Sequence, residues 1–225
     1  MTAAVRQSPL QAALHHRHPQ QGIPVHGMPA VRHFGDPDGE VVQAADLAVC
    51  DVSGFPRIGI RGSGCLAWVR DQGISVPDEV YGFVDSAELD SLIVRTGSAE
   101  LLIEDGLTGS LTQRFGSLDP GGVPGVYSYF RQDAGILLSG ARANDVLRET
   151  CGYNFRNPEA DMVFTRVAGV SCGILKRDRP GLPVFHLWCD GTFGEYLWEQ
   201  LEEIARDHGG RAVGLAPFFP LTVQR

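Results

Sequence analysis

Three imidazoles, His15, His16 and His18, stand in an HHRH run, the residue type that most often begins a metal site. Adjacent His15 and His16 point apart, however, and no distant set of ligands is spaced to complete a coordination shell. A solvated arm and no metal are expected. Cys50, Cys65, Cys151, Cys172 and Cys189 are odd in number and form no C-x-x-C pair, so they read as buried thiols of a reduced cytoplasm rather than zinc or redox ligands. Cys151 and Cys172, in apolar surroundings, read as core and not as nucleophiles. Lys176 is the only lysine, which leaves Schiff-base chemistry a single candidate. "GSGC", Gly62 to Cys65, is too short for a phosphate-binding loop, and no G-x-G-x-x-G occurs. His33 precedes "FGD", and His186 lies inside the apolar run Val184-Phe185-His186-Leu187-Trp188, where imidazoles are usually core or interface residues. Asp90, a lone carboxylate before the run "SLIV", is either a working group or the polar residue that starts a strand.

The elements that position these groups follow from periodicity. Residues 1–35, rich in Pro, Gln, Gly and His, predict an irregular arm over the core. Asp38 is the expected N-cap of a short helix whose Val41, Ala44 and Ala45 share a face. "RIGIR" alternates as a half-buried strand with Ile58 and Ile60 inward, and Ser63 is the expected cap of the next helix, with Leu66 and Val69 inward. Strands at about 89–95 and 99–104 flank Thr96-Gly97-Ser98, with Gly97 expected at positive φ. "TGSLTQRFGSLDPGGVPG" reads as a connector. "ILLSG" then leads into the helix "ARANDVLRETCG", "MVFTRVAGVSCGILKR" and "PVFHLWCD" predict two strands around "DRPG", and Thr192 with Glu195 offers a capping box for a final helix. Strands and helices mix without βαβ alternation, which predicts an α+β class with antiparallel sheets.

At 225 residues, 43% hydrophobic, the chain can bury a core as one domain, 1–225, or as two closely packed lobes. A formal charge of -8 with scattered cations argues against nucleic acid or an anionic membrane surface as partner. No signal pattern and no apolar run near ~20 residues is present, so a cytoplasmic protein without a membrane span is expected.

Three segments in succession resemble the glycine-cleavage T-protein (aminomethyltransferase) family. "AADLAVCDVSGFPRIGIRG", Ala44 to Gly62, resembles the family's "AGLFDVSHMG" and the strand after it. "LDSLIVRTGSAELLIED", Leu89 to Asp105, resembles its "GILDDLIV" strand and hairpin partner, and "DAGILLSGARANDVL", Asp133 to Leu147, its "LALQGP" strand-to-helix corner. The resemblance covers roughly residues 8–215. It implies a T-protein-like folate-binding fold of two small antiparallel-sheet lobes with packed helices, lacking the C-terminal barrel because the chain stops near "VGLAPFFPLTVQR". Asp90 aligns with one carboxylate of the family's folate-contacting Asp-Asp pair, the second being Ser91, and His186 falls at the place of the pterin-holding glutamate. A neutral imidazole cannot accept two hydrogen bonds as a carboxylate does, so the expectation is weak or absent tetrahydrofolate binding by the isolated chain. Arg57, Arg61 and Arg95 are candidates for a folate tail or substrate carboxylate.

"RQDAGILLSG", "TRVAGVS" and "FGEYLWEQL" look still more like the gamma subunit of heterotetrameric sarcosine oxidase and related N-demethylase subunits. That resemblance implies a non-redox subunit beside oxidoreductase subunits that carry flavin or iron, with Phe218, Phe219 and Pro220 as an apolar end suited to a partner. Asp90 would be the catalytic, electrostatic group, and Asp90, His186 and Arg95 the folate contacts. An autonomous tetrahydrofolate-dependent aminomethyl- or methyl-transferase and a ligand-free interaction module are the alternatives.

Overall fold

The structure is a computed structural model that describes residues 6–15, 19, 21–118, 123–156 and 160–219. Its class is α+β, with six helices and no closed barrel among those residues. The chain divides into two compact units, the first Met1–Gly54, Asp133–Glu159 and Val163–Arg225, the second Phe55–Gln132 and Ala160–Met162.

The first unit opens with α1 (Gln11–His15) and the hairpin of β1 (Gln21–Val25) and β2 (Met28–His33). This replaces the irregular arm expected for residues 1–35 with regular structure over much of its length. The hairpin closes because His26 and Gly27 both take positive φ, 47° and 80°, the pairing that a two-residue turn matched to strand twist requires. Next come α2 (Pro37–Asp46) and β3 (Ala48–Asp51). Asp36, not Asp38, caps α2, its carboxylate accepting from the Gly39 amide at 3.0 Å, with Pro37 in the first turn. The face expected from Val41, Ala44 and Ala45 is also different. Ala44 and Glu40 are buried, whereas Val41 is 54% exposed. Glu40 wins the inward position by satisfying two backbone donors, Phe34 at 2.6 Å and Gly214 at 2.7 Å.

Later segments complete a six-stranded sheet: β9 (Asp133–Ser139), β10 (Met162–Val167), β11 (Val170–Lys176), β12 (Val184–Asp190) and β13 (Arg211–Ala212), in the order β10-β11-β12-β9-β3-β13. β11, β12, β9 and β3 pair antiparallel in turn, while the short β13 runs parallel to β3. The single strand expected over 162–177 is two strands, turned by Ala168 and Gly169 at positive φ. One face, with Ile136, Leu138, Phe185 and Leu187, packs in a common core with Val146 and Leu147 of α5 (Ala143–Thr150) and Leu197, Trp198 and Leu201 of α6 (Gly194–Asp207). The capping box expected from Thr192 and Glu195 does not form. Asp190 accepts from the Thr192 amide at 2.9 Å and hydroxyl at 2.7 Å, starting a 3-10 turn at Gly191–Phe193 ahead of α6. These two bonds hold the Asp190 carboxyl below its ordinary pKa. An ionised carboxylate is the stronger acceptor, and Thr192 becomes its donor. Phe218, expected at a partner surface, is buried instead, its carbonyl accepting from Arg179, whose guanidinium also lies over the Phe218 and Phe219 rings. Pro220 lies outside the described residues.

The second unit is a five-stranded antiparallel sheet in the order β5-β6-β7-β4-β8, built from β4 (Arg57–Arg61), β5 (Phe83–Ser86), β6 (Ser91–Gly97), β7 (Glu100–Asp105) and β8 (Tyr127–Arg131). Ile58, Ile60, Ile93, Leu101 and Ile103 form its core with Val69 of α3 (Cys65–Asp71) and Phe115 of α4 (Leu111–Ser117). The β6–β7 hairpin forms as expected, but its turn falls at Ser98 and Ala99. Gly97 lies inside β6, where the register shifts. Gly64 stands at the N-cap of α3 in place of Ser63, with no side-chain cap bond. α4 occupies the stretch expected to be a connector.

Candidate functional site

The described polar cluster at the start of β6 is organised by two carboxylates. Asp105, 1% exposed at the end of β7, lies directly across from Ser91. Its Oδ1 accepts from Ser91 Oγ at 2.8 Å and the Leu111 amide at 3.0 Å; its Oδ2 accepts from the Thr112 amide at 2.9 Å and hydroxyl at 2.5 Å. Four donors offset the cost of burying the charge, and two of them are first-turn amides of α4. Asp105 therefore seeds α4 out of a sequence that reads as a loop.

Asp90 precedes β6 at φ 44°, a left-handed conformation that Asp tolerates better than most residues. Its Oδ2 accepts from the Thr108 amide at 2.7 Å and hydroxyl at 2.9 Å, and its carbonyl accepts from the Gly106 amide at 2.6 Å. Residues 106–109 wrap closely around it. A Cβ at Gly106 would lie 2.1 Å from Asp90 Oδ1, and one at Gly109 2.4 Å from the Asp90 carbonyl oxygen. The carboxylate is half-buried, pinned through Oδ2, with no hydrogen bond to Oδ1 among the described residues.

Arg95 sits near the other end of β6, on the order of 16 Å from Asp90 by strand rise. It donates to the carbonyls of Gly97 at 3.3 Å and Ser98 at 3.2 Å, and to that of Asp78. These bonds staple the β6–β7 turn to the 78 loop and use much of the guanidinium's donor capacity. Arg57, expected to alternate outward, is 1% exposed and ion-paired with Glu104, its cross-strand partner on β7. Arg61 lies 5.4 Å from the centre of the Tyr129 ring, whose hydroxyl donates to Glu100 Oε1 at 2.7 Å. Gly59 lets that ring rest on the strand, since a Cβ there would lie 2.2 Å from Tyr129 Cζ.

His186 belongs to the first unit. It is 2% exposed on β12, flanked by Leu175 and Leu137, and stacked on Trp188 at 4.2 Å between ring centres. It points to the sheet face opposite the one bearing Phe185 and Leu187. A mostly apolar cleft of about 150 Å³ also lies in this unit, lined in part by Ser8, Gln11, Leu14, Val31 and Asp51. None of Asp90, Arg95 and His186 lines it. Of the HHRH run only His15 is described, exposed at the end of α1; among the described residues no three His, Cys, Asp or Glu gather as a metal site. No described helix is long and apolar enough to cross a membrane.

Sequence reasoning picked out Asp90 and missed Asp105, Glu104 and Thr108. Glu104 and Asp105 follow "LLI" directly, and two carboxylates closing an apolar strand are a signal that buried partners await them.

No family model and no curated protein matches the sequence. Solved structures do. Aminomethyltransferase T of the glycine cleavage system from Bartonella henselae superposes with a TM-score of 0.69 at 15% identity, over 95% of this chain and 61% of that one. A heterotetrameric sarcosine oxidase from Corynebacterium sp. U-96, solved with pyrrole 2-carboxylate, matches with a TM-score of 0.60 at 14% identity, over 77% of this chain and 93% of that one. This chain thus spans about three-fifths of the aminomethyltransferase's length. Its architecture is that of the T-protein-like folds, shared by an aminomethyltransferase and a chain of a sarcosine oxidase.

Proposed function

We propose that this chain is a non-redox subunit of a multi-subunit oxidative N-demethylase, of the sarcosine- or dimethylamine-oxidising type, that supports passage of a one-carbon unit or formaldehyde to tetrahydrofolate. The observation that carries the reading is the likeness to a heterotetrameric sarcosine oxidase over 93% of that protein's chain. In this reading residues 1–225 act as one folate-binding-type domain in the cytoplasm, and flavin or iron resides on the partner subunits.

Asp90 is the group best suited to act on a ligand. Thr108 fixes one oxygen, which leaves Oδ1 to present negative charge where an iminium or a folate nitrogen gains positive charge. Of the other expected folate contacts, Arg95 has three carbonyls to serve and His186 is buried. The residues therefore fit a single electrostatic contact better than a full pterin clamp, and tetrahydrofolate binding by the chain alone should be weak. When bound, the folate would supply the acceptor nitrogen.

Affinity-tagged chain expressed in its native host should co-purify in fixed ratio with a flavin- or iron-bearing subunit, and calorimetry on the isolated chain should show no micromolar binding of tetrahydrofolate. Micromolar binding without any partner would favour the second reading, an autonomous folate-dependent aminomethyl- or methyl-transferase. That reading draws on the match to aminomethyltransferase T over 95% of this chain. Neither a partner nor folate binding would leave a ligand-free interaction module.

A further inference from the structure

Cys172 on β11 and Cys189 on β12 are direct cross-strand partners in the antiparallel register. Residues so paired project to the same sheet face, with Cα atoms about 4.5 or 5.5 Å apart depending on the hydrogen-bonding site. Both separations lie inside the roughly 4.4–6.8 Å range of disulfides. Both thiols are reduced and buried in one hydrophobic core, 2% and 4% exposed. The other three cysteines have no such partner: Cys50 faces Leu137, Cys151 faces Val167, and Cys65 lies on α3.

We propose that Cys172 and Cys189 are an oxidisable dithiol, a covalent modification site that closes to a cross-strand disulfide between β11 and β12. The oxidant class is a hydroperoxide. One sulfur attacks a peroxide oxygen, so that an S–O bond forms, the O–O bond breaks, and the other oxygen leaves as water or alcohol with the thiol proton. The second sulfur then attacks the sulfenic sulfur, forming S–S and releasing the hydroxyl as water with its own proton. Two thiols lose two electrons and two hydrogens, and one hydroperoxide takes them up. At rest the pair is quiet. The contact with Cys189, then burial, pushes the Cys172 thiol up from its ordinary pKa, and only a thiolate is a good nucleophile. Reaction therefore waits on opening of the sheet margin, where β11 is separated from solvent by the outermost strand β10.

The test treats the intact chain with hydrogen peroxide, unfolds it, alkylates the remaining thiols and maps the peptides. Two of the five thiols should disappear, the mass should fall by about two hydrogens, and one cross-linked peptide should join Cys172 to Cys189. Dithiothreitol should reverse all three changes, and the oxidised form should melt at a higher temperature. Alkylation of both residues after oxidation overturns the proposal. So does a link through Cys151, or sulfinate or sulfonate at either position. Oxidation of the chain in guanidinium, where register is lost, should scatter the links over other pairs; the same single link there would show that chain proximity and not strand pairing selects it, and would also overturn the proposal.

Discussion

The two units bury charge in different ways. In the first unit Glu40 is buried and answered by backbone, its two oxygens taking the amides of Phe34 and Gly214. In the second, Glu104 is buried against a charge of opposite sign, Arg57, and the neighbouring Asp105 is surrounded by four donors. A carboxylate met by amides depends on chain geometry, which a neutral isostere partly preserves. One met by a guanidinium depends on its partner's charge. Losing that partner strands an ion in the interior.

Arg57→Met should thus have the largest effect, lowering unfolding free energy in urea by about 3–5 kcal/mol, and Arg57→Met with Glu104→Leu should recover most of it. If the double variant stays as unstable as the single one, the pair is not the source. Asp105→Ala should cost about 2 kcal/mol and melt α4 selectively, read as lost amide protection over 111–117, because the first turn loses its acceptor. Glu40→Gln sharpens the contrast from the other side: one amide oxygen still accepts while the new NH2 faces a backbone donor, for about 1–2 kcal/mol.

Asp90→Asn should cost under about 1 kcal/mol, since its amide oxygen can still take both Thr108 donors and Asn tolerates the left-handed backbone. Under the proposed function it should nonetheless lower one-carbon transfer by the chain with its partner subunits; unchanged transfer there would reduce Asp90 to a loop anchor. The smallest effect concerns Tyr129. Burial first, and Glu100 second, raise its pKa above the ordinary 10.0. The folded state then holds a proton that the unfolded chain releases, so this contribution to stability is present below pH 10.0 and is lost as pH climbs through the folded pKa. Tyr129→Phe should flatten the alkaline slope of melting temperature.

Periodicity located much of this architecture. The β6–β7 hairpin, β9 leading to α5, and α6 all lie where their apolar spacing places them. The splitting of β10 from β11 was hidden because Ala168 takes positive φ, and nothing in an alanine announces a left-handed turn. α4 was hidden because its cap, Asp105, precedes it by six residues and arrives from a strand. Burial of Arg57 was invisible for the same reason, since alternation along β4 sets the side and the partner from β7 decides the cost. The candidate site was legible only as a position. That a carboxylate stands before β6 is plain, but its holder, Thr108, lies eighteen residues away.

With the phenol of Tyr129 resting on bare backbone at Gly59, ring and strand share one van der Waals surface. Rotation of that ring about its axis must first lift it off the sheet, so its two edges should give distinct NMR signals at temperatures where solvent-facing tyrosines average theirs. A methyl group introduced at position 59 would act as a wedge and set the ring turning.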